Sequence, residues 1–247
     1  MFVFRDSLEA TSTTPRVDVA FTDSSLDLQG EKPGFDVALS ALEEAVGLTF
    51  ARLSQLHGKD VVTVTTVPAA GPLDDVPHAD AQVTSLRGVG LMVRVADCVP
   101  VVLADSSAGV IGVAHAGRVG TALDIATATV EAMRELGASR ITAWIGPHIC
   151  GRCYEVPAAM RAEVVAAVPE SGAVTSWGTP ALDLGAGVRA QLARAGARVI
   201  EVGRCTREDP ELHSHRRDGA SAGRFGGLVW MSEADVMGSA SANEQVS

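Results

Sequence analysis

Positive charge is in short supply in this 247-residue chain, where 20 lysines and arginines face 30 acids for a formal net charge of −10. Such a field repels polyanions, so neither nucleic acid nor an anionic membrane surface is expected as a partner. Aromatic residues are scarce as well, at 4%, which leaves core building to the abundant Ala, Val and Gly of a tightly packed α/β protein. Long apolar runs are missing: no stretch reaches the roughly 18 uninterrupted apolar residues that span a bilayer. The opening Met1-Phe2-Val3-Phe4-Arg5-Asp6 lacks the basic-then-apolar order of a secretory signal, and a cytoplasmic location is expected. Four cysteines do not make a disulfide framework in a chain of this length.

What is present alternates between strand and helix signals. Strands are expected at Met1 to Arg5, Val17 to Thr22, Val61 to Val67, Val89 to Val95, Ile141 to Ile145 and Arg198 to Val202. Helices are expected from Asp36, as N-cap, to Val46, and from Thr121 to Leu136. Two more are expected over Pro157 to Val168, with the proline in the first turn, and from an Asp183 cap to about Ala195. Gly71 to Pro77 reads as an exposed loop. The mixture implies an α/β or α+β fold, a sheet covered by helices. No repeat or linker divides it, so one domain is expected over residues 1–237, with 238–247, rich in small and polar residues, as a disordered tail.

One hairpin concentrates the chemistry. Val99 to Ala104 and Val110 to Ala114 are apolar runs joined by Asp105-Ser106-Ser107-Ala108-Gly109. With the turn centred on Ser106 and Ser107, Cys98 falls opposite His115, with Cβ atoms roughly 5 Å apart. A thiolate and an imidazole so placed suit a borderline-soft metal such as zinc. His57, in Gln55-Leu56-His57-Gly58, is the first candidate for a third ligand. Three protein ligands would leave one tetrahedral position for water or substrate. Cys150 and Cys153 form a C-x-x-C, but no second pair for a zinc ribbon lies near them in sequence, and Cys205 reads as a core thiol.

Two further segments suit an anion. His115-Ala116-Gly117-Arg118-Val119-Gly120-Thr121 runs from strand into helix and offers small residues, a helix start and Arg118. The other, from Arg204 to Arg224, gathers arginines in an acidic chain, with Arg216-Arg217 able to grip phosphate or carboxylate. His213 and His215 in that loop are weaker metal candidates than His57. Tyr154, the sole tyrosine, and Glu155 follow the turn at Gly146-Pro147 and are placed to reach a pocket.

From about Gln55 to Met231 these segments resemble the YfiH family, also called the laccase-domain or multicopper polyphenol oxidase family, which includes the peptidoglycan editing factor PgeF. The resemblance rests on Gln55-Leu56-His57-Gly58, Asp80-Ala81, Ala96-Asp97-Cys98-Val99-Pro100-Val101 and Val113-Ala114-His115-Ala116-Gly117. It continues through Ile145-Gly146-Pro147, Cys153-Tyr154-Glu155-Val156, Cys205-Thr206 and Arg216-Arg217-Asp218-Gly219, in order. Two places depart from the pattern. The family's His-Ala-Gly-Trp-Arg-Gly-Thr reads here His115 to Thr121 without the Trp and with Arg displaced by one. Its adjacent cysteines before Tyr-Glu-Val are here Arg152-Cys153, with Cys150 upstream.

The resemblance implies a single-domain α/β/α-type layered sandwich with a mixed sheet, and zinc held by His57, Cys98 and His115. It implies a purine nucleoside enzyme that phosphorolyses adenosine, inosine, guanosine and 5′-methylthioadenosine and deaminates adenosine. Its partners are then nucleosides and phosphate, and a monomer is the default. Asp97 or Glu155 is expected as proton shuttle; Arg118, Tyr154, Arg216 and Arg217 are expected to hold phosphate or substrate. The alternatives are a copper-binding polyphenol oxidase and a zinc-dependent cell-wall editing factor.

Overall fold

The computed structural model describes residues 1–30, 32–67 and 76–232. The loop expected at Gly71 to Pro77 falls mostly outside them, and the tail at 238–247 wholly so. In chain order come β1 (Phe2–Leu8), β2 (Arg16–Thr22), α1 (Phe35–Val46), β3 (Thr49–Ala51), β4 (Val61–Thr63), β5 (Ala81–Thr84) and β6 (Val89–Val95). The middle holds β7 (Val99–Asp105), β8 (Val110–Ala116), α2 (Arg118–Ala122), α3 (Ile125–Glu135) and β9 (Thr142–Ile145). Then follow α4 (Ala158–Ala167), β10 (Gly172–Val174), β11 (Pro180–Leu182), α5 (Leu184–Arg194), β12 (Arg198–Glu201), α6 (His215–Asp218) and β13 (Phe225–Ser232).

The strands form a five-stranded sheet, β1-β2-β13-β6-β3, a six-stranded sheet, β12-β9-β7-β8-β5-β4, and the small pair β10-β11. Both larger sheets are mixed, with parallel pairs at β3/β6, β4/β5 and β12/β9. They face each other: Val19, Phe21, Leu91 and Val229 of one meet Val102, Val113 and Trp144 of the other. The outer face of the six-stranded sheet lies under α3 and α5, through Val101, Leu103, Val130 and Val188. The outer face of the five-stranded sheet lies under α1, through Met92, Leu228, Leu39 and Leu42. The fold is thus a mixed α/β sandwich whose sheet layer is doubled between its helices. Because both faces of each sheet are covered, strands such as Val99–Asp105 are buried along their whole length and read as unbroken apolar runs.

Several local expectations shift. His115 pairs with Pro100, not Cys98, an offset of two residues. The turn is a four-residue loop closed by Asp105, whose carboxylate accepts from Ser107 N at 3.0 Å and Ala108 N at 3.1 Å, with Gly109 at φ +63°. An offset of two preserves the alternation of faces, so Cys98 and His115 still point to the same side. The helix expected over Thr121 to Leu136 is two helices, because Asp124 turns to φ +63° and caps α3 by accepting from Thr127 N at 3.2 Å. Helix α1 is capped by Gly34 at φ +100°, and Asp36 sits in its first turn. Pro157 is the N-cap of α4 rather than inside it. The strand after His57 ends at Thr63. Phe225–Ser232, unassigned from sequence, is a central strand of the five-stranded sheet.

Candidate metal centre

His115 continues the row Ile111, Val113 on the face of β8 that looks toward the five-stranded sheet, one position from the strand end. Cys98 precedes β7 and follows Asp97, whose backbone takes φ +83°. His57, on the loop between β3 and β4, is itself at φ +63°. Asp80, just before β5, holds that loop: its carboxylate accepts from the backbone N–H of Leu56 (3.2 Å), His57 (2.9 Å) and Gly58 (2.6 Å). The same carboxylate lies 2.8 Å from Nδ1 of His115, and His115 N donates to the Asp80 carbonyl at 2.7 Å. A carboxylate on Nδ1 fixes that proton and leaves Nε2 as the coordinating atom. The two imidazoles meet edge to face with centroids 4.7 Å apart. The ligand atoms of His57, Cys98 and His115 all lie within 4.8 Å of one another.

Gly117 explains itself by space. A Cβ there would stand 2.7 Å from Cδ2 of His57 and 3.3 Å from Sγ of Cys98. The small residues after His115, expected to admit a ligand, admit these two side chains, while Gly120 admits the Gly58 carbonyl, 2.8 Å from where its Cβ would be.

The site is charged even without a metal. Burial opposes ionisation of Cys98, but the neighbouring imidazoles of His115 and His57 outweigh it and hold the thiol at about 6. Burial likewise opposes charge on His115, yet Cys98 and Asp80 raise it to about 9. Thiolate and imidazolium sustain each other, and a soft or borderline cation would take the place of the proton between them. Cys, His, His with an orienting carboxylate is a donor set that fits zinc or copper.

The triad borders a cavity of about 850 Å³. Tyr154 and Arg216 line it too, with the Arg216 guanidinium 5.0 Å from the Tyr154 ring centroid. Burial, then the charge of Cys98, pushes the Tyr154 phenol above its ordinary value, keeping it protonated. Asp97 lines the cavity with its carboxylate engaged: it accepts from Thr206 Oγ1 (2.6 Å), Ser214 Oγ (2.7 Å) and Arg216 N (2.6 Å). Glu155 takes Trp177 Nε1 at 2.8 Å, and its carbonyl accepts from Arg216 Nη1 at 2.7 Å. Neither Glu155 nor Arg118, which opens α2, is among the lining residues. The fold does not bring Arg217 to the cavity: its guanidinium binds the carbonyls of Thr206, Asp209 and Leu212 and the carboxylate of Asp218. Arg94 and Arg224, distant in sequence, line the cavity instead, as do His78 and His215. Asp80 belongs to the Asp80-Ala81 segment, but an acid before a strand carries no sign of the imidazole it meets 35 residues later.

Comparison with known proteins agrees with this architecture. The family model described as multi-copper polyphenol oxidoreductase laccase matches residues 35–232. A protein of Streptomyces griseus named purine nucleoside phosphorylase is 50% identical over 182 residues, 72% of this chain and 73% of its own. One of the same name from Streptomyces coelicolor is 48% identical over 209 residues, covering 82% and 85%. Among solved structures, YlmD from Geobacillus stearothermophilus superposes with a TM-score of 0.79 at 28% identity, over 91% of this chain and 98% of that one. The YfiH protein of Bacillus licheniformis shares the fold, with a TM-score of 0.78 at 23% identity over 90% and 97%. By the matched span and by these relatives, the chain belongs to the multi-copper polyphenol oxidoreductase laccase family, also called the YfiH family.

Proposed function

We propose that the protein is a zinc-dependent purine nucleoside phosphorylase that cleaves adenosine, inosine, guanosine and 5′-methylthioadenosine and also deaminates adenosine. We place it in the cytoplasm as a monomer, with residues 1–237 as its one catalytic domain. The observation that carries this reading is the cavity. Its volume, about 850 Å³, is that of a small-molecule site. Its wall joins a Cys-His-His donor set to Arg94, Arg216 and Arg224, in a chain whose net charge is −10. A metal centre beside concentrated arginine suits a neutral nucleoside reacting with an anion. The names of the Streptomyces relatives support the same reaction class.

In phosphorolysis a phosphate oxygen bonds to C1′ as the C1′–N9 bond breaks, and the purine leaves with the bonding pair and gains a proton. His57, Cys98 and His115 would hold the zinc, which when bound would supply the Lewis acidity that deamination needs. Arg216 receives the phosphate with a charge-assisted hydrogen bond. Asp97 and Glu155, each bonded to Arg216, are positioning residues in this reading rather than proton shuttles. The Tyr154 phenol, kept protonated, offers a hydrogen-bond donor to the bound nucleoside.

The test is chromatography of adenosine incubated with zinc-loaded protein, with and without phosphate. Adenine and ribose 1-phosphate are expected only when phosphate is present, inosine in both cases, and neither with Cys98→Ala. Bound zinc without turnover of any of the four nucleosides overturns the reading and favours cell-wall editing. Phenol oxidation by the copper-loaded protein, with nucleosides untouched, overturns it in favour of the oxidase.

A further inference from the structure

Cys150 and Cys153, which have no partner pair nearby in sequence, acquire one in space. Two turns of the same build lie side by side. Cys150-Gly151-Arg152-Cys153 is closed by Cys153 N donating to the Cys150 carbonyl at 2.9 Å. Cys205-Thr206-Arg207-Glu208 is closed by Glu208 N donating to the Cys205 carbonyl at 3.2 Å. A parallel bridge between His148 and Cys205 sets one against the other, through His148 N to the Arg204 carbonyl (3.2 Å) and Thr206 N to the His148 carbonyl (3.1 Å).

The side chains converge. Cys150 N donates to Sγ of Cys205 at 3.4 Å, the kind of backbone contact that steadies a sulfur ligand. Sγ of Cys153 is 3.4 Å from Oε1 of Glu208. The sulfur atoms of Cys150, Cys153 and Cys205 and a Glu208 oxygen all lie within 4.8 Å of one another, and every cysteine of the chain is free. In a tetrahedral zinc site with bonds of about 2.3 Å, ligand sulfurs stand about 3.8 Å apart, so little closure completes the shell. The third residue of each turn is an arginine, and both lie against the cluster: Arg152 Nη2 is 3.7 Å from Glu208 Oε2, and Arg207 Nη1 donates to the Cys153 carbonyl at 3.5 Å. Three thiolates and a carboxylate around a divalent ion carry two excess negative charges, which two guanidinium groups offset.

We propose that Cys150, Cys153, Cys205 and Glu208 form a second metal site for a thiophilic divalent cation of the zinc class. With four protein ligands it is closed, as structural sites are, whereas the cavity triad supplies three. Soft sulfur donors favour zinc over magnesium or calcium. The ion clamps the segment carrying Tyr154 and Glu155 to the one whose Thr206 hydroxyl bonds Asp97 at 2.6 Å, beside Cys98. It thereby fixes one wall of the cavity without touching the reacting atoms, and it does not depend on the nucleoside reading.

The chain has four cysteines, so full-length Cys98→Ala retains only the three of this site. The experiment strips that variant with a chelator under reducing conditions and titrates it with Co²⁺. One equivalent is expected to bind with thiolate-to-cobalt charge-transfer absorption, which excess zinc abolishes. Adding Cys205→Ser is expected to remove the absorption, and adding Glu208→Gln to weaken cobalt binding by ~10-fold or more. A folded Cys98→Ala protein, its thiols titrating as reduced, that gives no charge-transfer absorption overturns the proposal. So does a disulfide within the cluster that forms even when zinc is present. Should Cys98→Ala not fold, stoichiometry decides: wild type is expected to hold one more zinc per chain than Cys205→Ser, and equal zinc content in the two overturns the site.

Discussion

Arg216 and Arg217 are adjacent in the chain and divide their work in the fold. Arg216 lies on the cavity against the Tyr154 ring, while Arg217 ties the 206–212 segment through three carbonyls. A pair of arginines in an acidic chain announces anion binding, but only the path of the backbone decides which one turns inward. Arg216→Ala is expected to lower kcat/KM for phosphate about tenfold or more, the loss of a charge-assisted hydrogen bond worth about 1.5–3 kcal/mol. Arg217→Ala is expected to leave the KM for phosphate unchanged and cost about 0.5–1.5 kcal/mol of stability, since it strips three backbone carbonyls of their donor. Phosphate-dependent kinetics and urea titration of both variants check the division. Cys98 and His115 were legible as candidate ligands, because Cys and His flanking one hairpin are chemically distinctive, and the fold brings them together with His57. Asp80, which bonds the imidazole of His115 and the backbone N–H of His57, was not.

The β7–β8 hairpin shows what an element adds to its residues. Its register came out two residues from the symmetric expectation because Asp105 builds the turn, accepting from Ser107 N and Ala108 N. The carboxylate's other oxygen accepts from Ser139 N and Arg140 N, both at 2.7 Å, tying the hairpin tip to the start of β9. Burial pushes the Asp105 carboxyl up, but the Ser107 hydroxyl and the Arg140, Ser139 and Ala108 N–H groups outweigh it and hold it below the usual carboxylate range. A depressed folded-state pKa stabilises the fold above the unfolded value of about 3.9. That contribution is lost as pH falls through the folded value. Asp105→Asn is therefore expected to lower stability at pH 7 by about 1–3 kcal/mol and to flatten the fall in stability on acidification below pH ~4. Urea midpoints at several pH values read both effects.

At the scale of the molecule, two sheets share one core, and Trp144 is its largest fully buried side chain. Its indole N–H reaches across from β9 to Oδ2 of Asp6 on β1, 2.7 Å away, so the ring fills the space between sheets while its nitrogen bonds the edge of the opposite one. Trp144→Ala is expected to cost about 3–5 kcal/mol, and Trp144→Phe, which keeps most of the volume but removes one donor from the half-buried Asp6, about 0.5–1.5 kcal/mol. Thermal or urea unfolding of the two variants separates packing from the bond. The sandwich also places His57, Cys98 and His115 at one end of the inter-sheet layer, where β7 begins and β8 ends, so the cavity opens beside the core.

The sequence carries the mixed α/β class, the position of most strands and helices, and three candidate ligands that the fold brings together, because period, turn residues and side-chain chemistry act over a few neighbours. It hid β13, whose Gly226-Gly227 dilutes the strand signal and whose pairing partners, β2 and β6, are remote. Only the tertiary structure doubled the sheet and faced Asp80 to His115. It also turned Arg217 away from the cavity and brought Cys205 and Glu208 to Cys150 and Cys153. The physical reason is common to all of these. Each joins groups far apart along the chain, and which distant groups meet is settled by how the sheets and helices bury their apolar faces together, not by any local preference.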